Sequence, residues 1–366
     1  MRLGINGRFL CARPTGVQRF AYEVTTRLCE RRDTTVLVPS NHTGAGVTGA
    51  RLKRGRLGGV FWEQLELPGA ARRAGVDVLL HLANACPRFG GPHVQLLHDL
   101  TPLTRPEDFH AVYRLWVRWA HVAPARSAAG LLTVSEHARS EIARATGISP
   151  ERMRIVRQGA GPLDTPADAE TVVAVRARHR IPERYFLAMG VGDRRKGLDF
   201  LRDVYSRWSV ERGRDVALVV VGDSYERVHR DVPADHSALL ALGHVPDEEL
   251  RALYTGSLAF LFPSLEEGFG RSPLEALACG TRVVVAPYPA AAEVLGDGAD
   301  LVRREIDDWV RALDAICAEP SQRRSERIAR GREWAADFTW EQATEEILSV
   351  CVEVAEARVP NVGTNP

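Results

Sequence analysis

Two carboxylates, Glu267 and Glu275, stand eight residues apart in the stretch LFPSLEEGFGRSPLEALACG, with Gly268, Phe269, Gly270 and then Ser272-Pro273 between them. Gly268 and Gly270 allow the backbone to approach a ligand closely and to aim N–H groups at it. The helix that opens at Ser272-Pro273 brings a positive dipole end, suited to an anion such as phosphate. Glu267 follows the buried strand LAFLF and can accept hydrogen bonds from ligand hydroxyls. Glu275 has a second reading. Three residues after a Ser cap, it could close a capping box and serve only the helix. Together these residues suit a ligand with a polyol at one end and phosphate at the other, as in a nucleotide-sugar.

The cations to match such a ligand are few in kind. Of 48 basic residues only Lys53 and Lys196 are lysines; the rest are arginine. Lysine and arginine differ in shape and hydration, so a retained lysine can mark a place that wants a compact ammonium. Lys53, in what reads as a loop, RLKRGR, is taken as chance. Lys196 follows Asp193-Arg194-Arg195, and Arg195 with Lys196 could meet the charge of a leaving diphosphate. The plainer alternative is a solvated charged turn. Gly16, in TGVQRF, could admit a ligand to its loop or simply serve a strand–helix turn. His98 ends HVQLLH at a strand terminus, where it would face a cleft; Asp99 beside it reads as fixing the loop or the acceptor. Gly243-His244-Val245 and Leu250 lie in the run LGHVPDEELRALYTG.

These residues need elements to hold them. Short apolar runs alternate with amphipathic segments: RLGING, TVLVP, VDVLLHL, HVQLLHD and GLLTVS in the first half, then YFLAMG, VALVVVG, LLALGH, LAFLFPS and TRVVVAP. Helices are predicted over 17–31, 65–74, 110–123, 136–145, 198–212, 247–254, 272–278 and 306–318. Strand–helix alternation with nearly all-apolar strands implies an α/β fold with parallel sheets covered on both faces. The pattern occurs twice. Between the halves, 158–170 (QGAGPLDTPADAE) has no hydrophobic period and reads as a linker. Domains are expected at 1–162 and 163–340, with a helix at 341–358 crossing back to the first. Two doubly wound domains would place a cleft near the carboxyl ends of their strands.

Glu267-Gly-Phe-Gly-x4-Glu275 followed by Ala276-Leu-Ala-Cys-Gly280 resembles the signature of retaining glycosyltransferases of family 4, which have the GT-B fold of two Rossmann-like domains. TGVQRF, LLHDLTPL, LLTVSEHARSEIA, MGVGDRRKGLDFL, LGHVPDEELRALYTG and FTWE resemble further family segments in the expected order. The resemblance implies that Glu267 binds donor-sugar hydroxyls, with Gly268, Phe269 and Gly270 helping through their backbone. It implies that Glu275 binds the ribose, that Arg195 and Lys196 hold the diphosphate, that Gly16 admits it, and that His98 meets the donor sugar. Val245 would lie against the base, and Glu293 matches a donor-side glutamate. Val191 departs from the family arginine at that place, which puts a second phosphate cation in doubt; Arg194 is a substitute. The family pattern implies attack by the acceptor on the face of the departing phosphate, with no metal and no cofactor beyond the nucleotide-sugar co-substrate. A nucleophilic Glu267 would instead attack from the opposite face.

Composition bounds the partners. The net charge of +1 gives no electrostatic footprint for nucleic acid. No apolar run is long enough to span a membrane, and the N-terminus reads as a strand rather than a signal peptide. Six cysteines without CxxC or metal-ligand spacing suit a cytoplasmic setting. The segment HAVYRLWVRWAHVA, with Tyr113, Arg114, Trp116, Arg118 and Trp119, reads either as a helix packing its tryptophans inward or as a peripheral contact with the inner membrane face. The acceptor could be a growing glycan, a lipid-linked glycan or a small metabolite. Competing functions are a nucleotide-sugar epimerase or hydrolase on the same fold, and an inactive binding partner. A dinucleotide dehydrogenase is disfavoured because GINGRF lacks GxGxxG.

Overall fold

The protein is described by a computed structural model covering residues 1–12, 15–44, 46–161, 163–190, 194–212, 215–222 and 239–357. Its apolar runs form two sheets. The first contains β1 (Leu3–Asn6), β2 (Thr34–Val38), β3 (Arg51–Arg54), β4 (Val78–His81), β5 (His93–Leu97), β6 (Gly130–Thr133) and β7 (Met153–Ile155). The second contains β8 (Tyr185–Met189), β9 (Ala217–Val221), β10 (Leu239–Gly243), β11 (Ala259–Phe262), β12 (Val283–Val285) and β13 (Ala299–Leu301). The strand orders are β3-β2-β1-β4-β5-β6-β7 and β10-β9-β8-β11-β12-β13. Among the described residues every pairing is parallel. The order reverses between β1 and β4 and again between β8 and β11. Open α/β sheets bind ligands at the carboxyl ends of strands beside such reversals.

The central strands ALVVV and AFLF are buried along their whole length, and YFLAM is buried up to the half-buried Met189 at its end. In the second sheet Phe186, Ala188, Leu218, Leu261 and Val284 pack into one cluster with Trp208 of the Leu198–Arg212 helix and Trp309 of the Ile306–Cys317 helix. The chain divides into two compact units. One comprises Met1–Gly159 and the stretch from Trp340 onward; the other is Ala160–Thr339. The Trp340–Glu356 helix thus belongs to the first unit, where it packs on the Gly16–Arg31 helix.

Three sequence expectations need correction. RLKR is an edge strand, β3, paired among the described residues only with β2, and all four of its side chains are exposed. It has no apolar run to announce it, and its charges suit an unpaired edge. The linker is shorter than expected, because Asp168 caps a helix over Ala169–His179 through Thr171 N at 2.7 Å. The helices near 65–74 and 110–123 are longer and each holds a π turn, at Trp62–Glu66 and Arg118–Val122. A proline follows each turn, Pro68 and Pro124, and a proline has no N–H to continue the regular ladder.

Candidate functional site

The strand reversal in the second unit brings two loops together. After β8, Arg194–Lys196 forms a single 3-10 turn. After β11, the chain runs through Pro263 to Gly270. The Arg195 carbonyl accepts from Leu265 N at 2.9 Å, which ties the loops at the backbone. Gly197 has φ +69, and a Cβ there would lie 2.5 Å from the Pro263 carbonyl oxygen, so no larger residue fits the contact.

On this frame Lys196 Nζ donates to Glu267 Oε1 at 2.7 Å. The Ser264 hydroxyl donates to the same oxygen, also at 2.7 Å. Glu267 Oε2 has no partner among the described residues. A carboxylate held by two donors through one oxygen therefore keeps its other oxygen for a ligand. The Lys196 ammonium also lies 5.2 Å from the centre of the Phe262 ring, a cation–π distance. Both Lys196 and Glu267 remain partly solvent-accessible.

Gly270 begins the next helix, Arg271–Ala278, as its N-cap, with φ +90 and no side-chain cap. This corrects the expected cap. Ser272 stands inside the first turn, and its hydroxyl donates to Met189 Sδ at 3.3 Å. Glu275 is therefore displaced from the capping-box position. Its carboxylate is almost fully buried, with Arg271 Nε 2.8 Å from Oε1. Burying a carboxylate is costly without a cation or donors, and Arg271 supplies a cation one turn earlier. Phe269 is buried edge-on against Phe338 at 6.1 Å, so its ring anchors the glycine loop and leaves only its backbone to a ligand.

Tyr288 was not singled out by sequence. Its hydroxyl is buried behind Gly270, where a Cβ would lie 2.0 Å from it, and it lacks a hydrogen-bond partner. Burial, and then the charge of Glu267, push the Tyr288 phenol well above its ordinary range. An unpaired buried hydroxyl in this place calls for an explanation. The available signal was its position just after β12, the neighbour of β11. Arg271 and Ser264 were missed for a similar reason, since their partners depend on loop geometry.

The remaining expected residues fall elsewhere. Arg195 is half-buried beside Lys196. Val245 is buried in the loop between β10 and the Asp247–Gly256 helix. Glu293 lies in the first turn of the Ala291–Leu295 helix. Val191, Gly192 and Asp193 lie outside the described residues. Gly16 and His98 are in the first unit. Gly16 opens its helix exposed, and a Cβ there would meet no atom within 4 Å. Packing within the unit therefore does not require glycine at that position. His98 is buried at the end of β5; its Nε2 donates to Leu82 O at 3.0 Å, and its ring meets Phe20 edge-on at 5.1 Å. Phe20 belongs to the Gly16 helix, so the first unit does join these two elements.

At the reversal in the first sheet, His81, Cys86 and His93 have ligand atoms within 4.8 Å of one another, a grouping that could suggest a metal. The Asn6 amide argues otherwise. Its Nδ2 donates to Glu63 Oε1 at 2.8 Å, and its Oδ1 accepts from Arg8 N at 3.2 Å, which fixes the amide orientation. Nδ2 then donates to His81 Nδ1 at 3.2 Å, His81 Nε2 donates to His93 Nδ1 at 3.0 Å, and His93 Nε2 donates to Phe89 O at 3.3 Å. All four ring nitrogens are used. Coordination through His81 Nε2 would put a proton on Nδ1, facing the amide hydrogens. The group fits a neutral polar chain better than a ligand set.

Comparison with known proteins agrees with this architecture. Residues 174–334 match the family described as Glycosyl transferases group 1, and residues 14–160 match Glycosyltransferase Family 4. O-antigen chain mannosyltransferase B of Escherichia coli is 30% identical over 280 residues, covering 72% of each chain. Serotype-specific mannosyltransferase WbdA of Escherichia coli is 26% identical over 263 residues, 68% of this chain and 32% of that longer one. The solved structure of Anabaena Alr3699/HepE in complex with UDP and glucose superposes with TM-score 0.75 at 16% identity, covering 96% of this chain and 100% of that one.

Proposed function

Since the chain belongs to glycosyltransferase family 4, we propose that it moves a hexosyl unit from a nucleoside-diphosphate sugar to a hydroxyl of a growing or lipid-linked glycan, with retention at the anomeric carbon. The observation that carries the reading is the Lys196–Glu267 pair at the β8–β11 reversal, with a free carboxylate oxygen on Glu267. In this reading Glu267 Oε2 accepts from donor-sugar hydroxyls, and Glu275 accepts from the ribose. Backbone N–H groups of Gly268, Phe269 and Gly270 face the donor. Arg195 and Lys196 meet the negative charge that grows on the diphosphate as the glycosidic bond breaks, a term that often dominates catalysis. The departing phosphate takes the acceptor proton, and the two cations take the part a metal plays elsewhere, so turnover should survive EDTA.

Gly16 would let the diphosphate approach closely, since among the described residues no atom of its own unit takes the space of a side chain there. His98, held through Nε2 to Leu82 O, would meet the donor sugar. Val245 would line the base. The E. coli relative, a mannosyltransferase by name, favours a mannosyl donor, and the Anabaena structure, in complex with UDP and glucose, favours a UDP-sugar. The six free thiols fit a cytoplasmic setting.

A thermal-shift panel of UDP, GDP, ADP and dTDP, with their common sugars, tests the donor site. A ligand that binds only the folded protein at about 100 times its Kd adds about 2.7 kcal/mol of stability. One nucleotide should shift the second unit. If none does, the donor reading is lost.

A further inference from the structure

Tyr288 carries a hydroxyl that its own surroundings leave unused. β12 ends at Val285, and the chain turns at once. Tyr288 N donates to Ala286 O at 2.7 Å, and Tyr288 O accepts from Ala291 N at 2.8 Å. The backbone is thus held on both sides, and the residue is only 2% exposed. Its ring packs at a steep angle on Phe262, centres 5.9 Å apart, and the Lys196 ammonium lies against that same Phe262 ring. Its hydroxyl end rests on Gly270, where a Cβ would lie 2.0 Å from the oxygen and 2.7 Å from Cζ. A side chain held in this way cannot swing out to water to satisfy its O–H.

An unpaired polar atom can be an accident of packing. Trp309 Nε1 is one, enclosed by the apolar cluster of the second sheet, and the bulk of the indole explains it. Tyr288 differs in two respects. Phenylalanine would give the same ring contacts without burying a hydroxyl, which carries a desolvation penalty when nothing bonds to it. The second difference is the neighbour. Glu267 lies near enough for its charge to act on the phenol, which burial first and then that carboxylate hold well above its ordinary range. The phenol is therefore protonated and able to donate. Among the described residues Glu267 accepts through Oε1, from Lys196 and Ser264. An unused donor thus stands beside a carboxylate that has acceptor capacity left.

We propose that Tyr288 is a positioning residue for the donor sugar: as the sugar enters, the Glu267–Gly270 loop settles on it and the Tyr288 hydroxyl donates to Glu267 Oε2. This rests on the donor reading given above. A carboxylate oxygen has two acceptor sites, so Oε2 takes the phenol and a sugar hydroxyl together. Lys196 and Ser264 on one oxygen and Tyr288 on the other then fix the plane of the carboxylate, and that plane decides which sugar hydroxyls fit. The penalty of the unpaired hydroxyl in the free protein is offset only in the complex with a sugar. The hydrogen bond therefore favours the nucleotide-sugar over the bare nucleotide. Gly270 is required twice over, by its φ of +90 and because any side chain there would collide with the phenol.

The test compares Tyr288→Phe with wild type in the full chain, without acceptor. Calorimetric titrations use UDP, GDP, ADP and dTDP, then UDP-glucose, GDP-mannose, ADP-glucose and dTDP-glucose. For the nucleotide-sugar that wild type takes, the variant's affinity should fall about tenfold or more, as for a lost hydrogen bond to a charged group. Affinity for the matching nucleoside diphosphate should not change. The free variant should melt at or above the wild-type temperature, because it no longer buries an unpaired hydroxyl. In a Glu267→Ala background the change at 288 should have no effect on nucleotide-sugar affinity, since Tyr288 acts through that carboxylate. Equal losses for nucleotide and nucleotide-sugar would show a merely distorted loop and overturn the proposal. So would unchanged affinity for both, a lower melting temperature of the free variant, or an undiminished effect beside Glu267→Ala. Wild-type protein that binds none of these ligands would instead remove the donor reading itself, and the part of Tyr288 with it.

Discussion

Lys196 and Glu267 are 71 residues apart in the chain and 2.7 Å apart in the fold. Each could be nominated from its own motif. Their pairing could not, because it depends on β8 and β11 being neighbours across a sheet whose order reverses there. Glu275 shows the opposite case: its residue type was legible, but its local role was misread because Gly270, at φ +90, starts the helix two residues before Ser272. Two outcomes follow at this scale. Lys196→Ala should lower turnover by about 100- to 1,000-fold, the usual loss for a preorganised charge-stabilising group. Near-normal single-turnover rates would leave Lys196 only as the partner of Glu267. Glu275→Gln keeps the shape and burial of the side chain but removes its charge. Nucleoside-diphosphate affinity should fall about tenfold or more, as for a lost hydrogen bond to a charged group. Calorimetric titration showing unchanged affinity would confine Glu275 to holding Arg271.

Among the elements, the long apolar strands and the amphipathic tail were legible because their patterns are strong. β3, β7 and β13 were not, since an edge strand of three or four residues is fixed by its single neighbour and carries no apolar run of its own. The π turns were invisible for a related reason: they follow from where a proline falls within a helix and from which carbonyl another loop needs. The Trp340–Glu356 helix gives a test of how an element can serve a unit distant in sequence. Trp340 is fully buried against Phe20 at 5.5 Å, and a Cβ on Gly159 would lie 2.6 Å from Trp340 N. Arg27–Glu341 and Arg154–Glu353 add exposed ion pairs along the helix, each worth little alone. Trp340→Ala should therefore cost the first unit about 3–5 kcal/mol. Denaturant unfolding should show the loss in one transition and leave that of Ala160–Thr339 in place. A loss shared equally by both would contradict the assignment of the helix to the first unit.

For the whole molecule, the buried histidines are unevenly shared. Burial lowers the imidazole pKa of His81 and His93, and that of His121 to about 4. All three belong to the first unit, and no described group of the second shows a lowered histidine. In the unfolded chain each imidazole takes a proton near pH 6.5. In the fold it resists that proton, so the unfolded state binds more protons as the pH falls. Stability present above pH 6.5 is therefore lost on acidification through the folded values. Each such histidine costs about 1.4 kcal/mol per pH unit within its window, and His121 alone about 3 kcal/mol by pH 4. Protonation of His81 or His93 would also break the chain from Asn6 to Phe89, because each ring needs one unprotonated nitrogen. Calorimetry from pH 7.5 to 5 should consequently show two transitions drawing apart, with that of the first unit moving to lower temperature. His121→Asn should reduce the slope of that movement, and the second transition should not respond to it. Two transitions that fall together, at equal slope in wild type and variant, would show that acid sensitivity does not arise in these histidines.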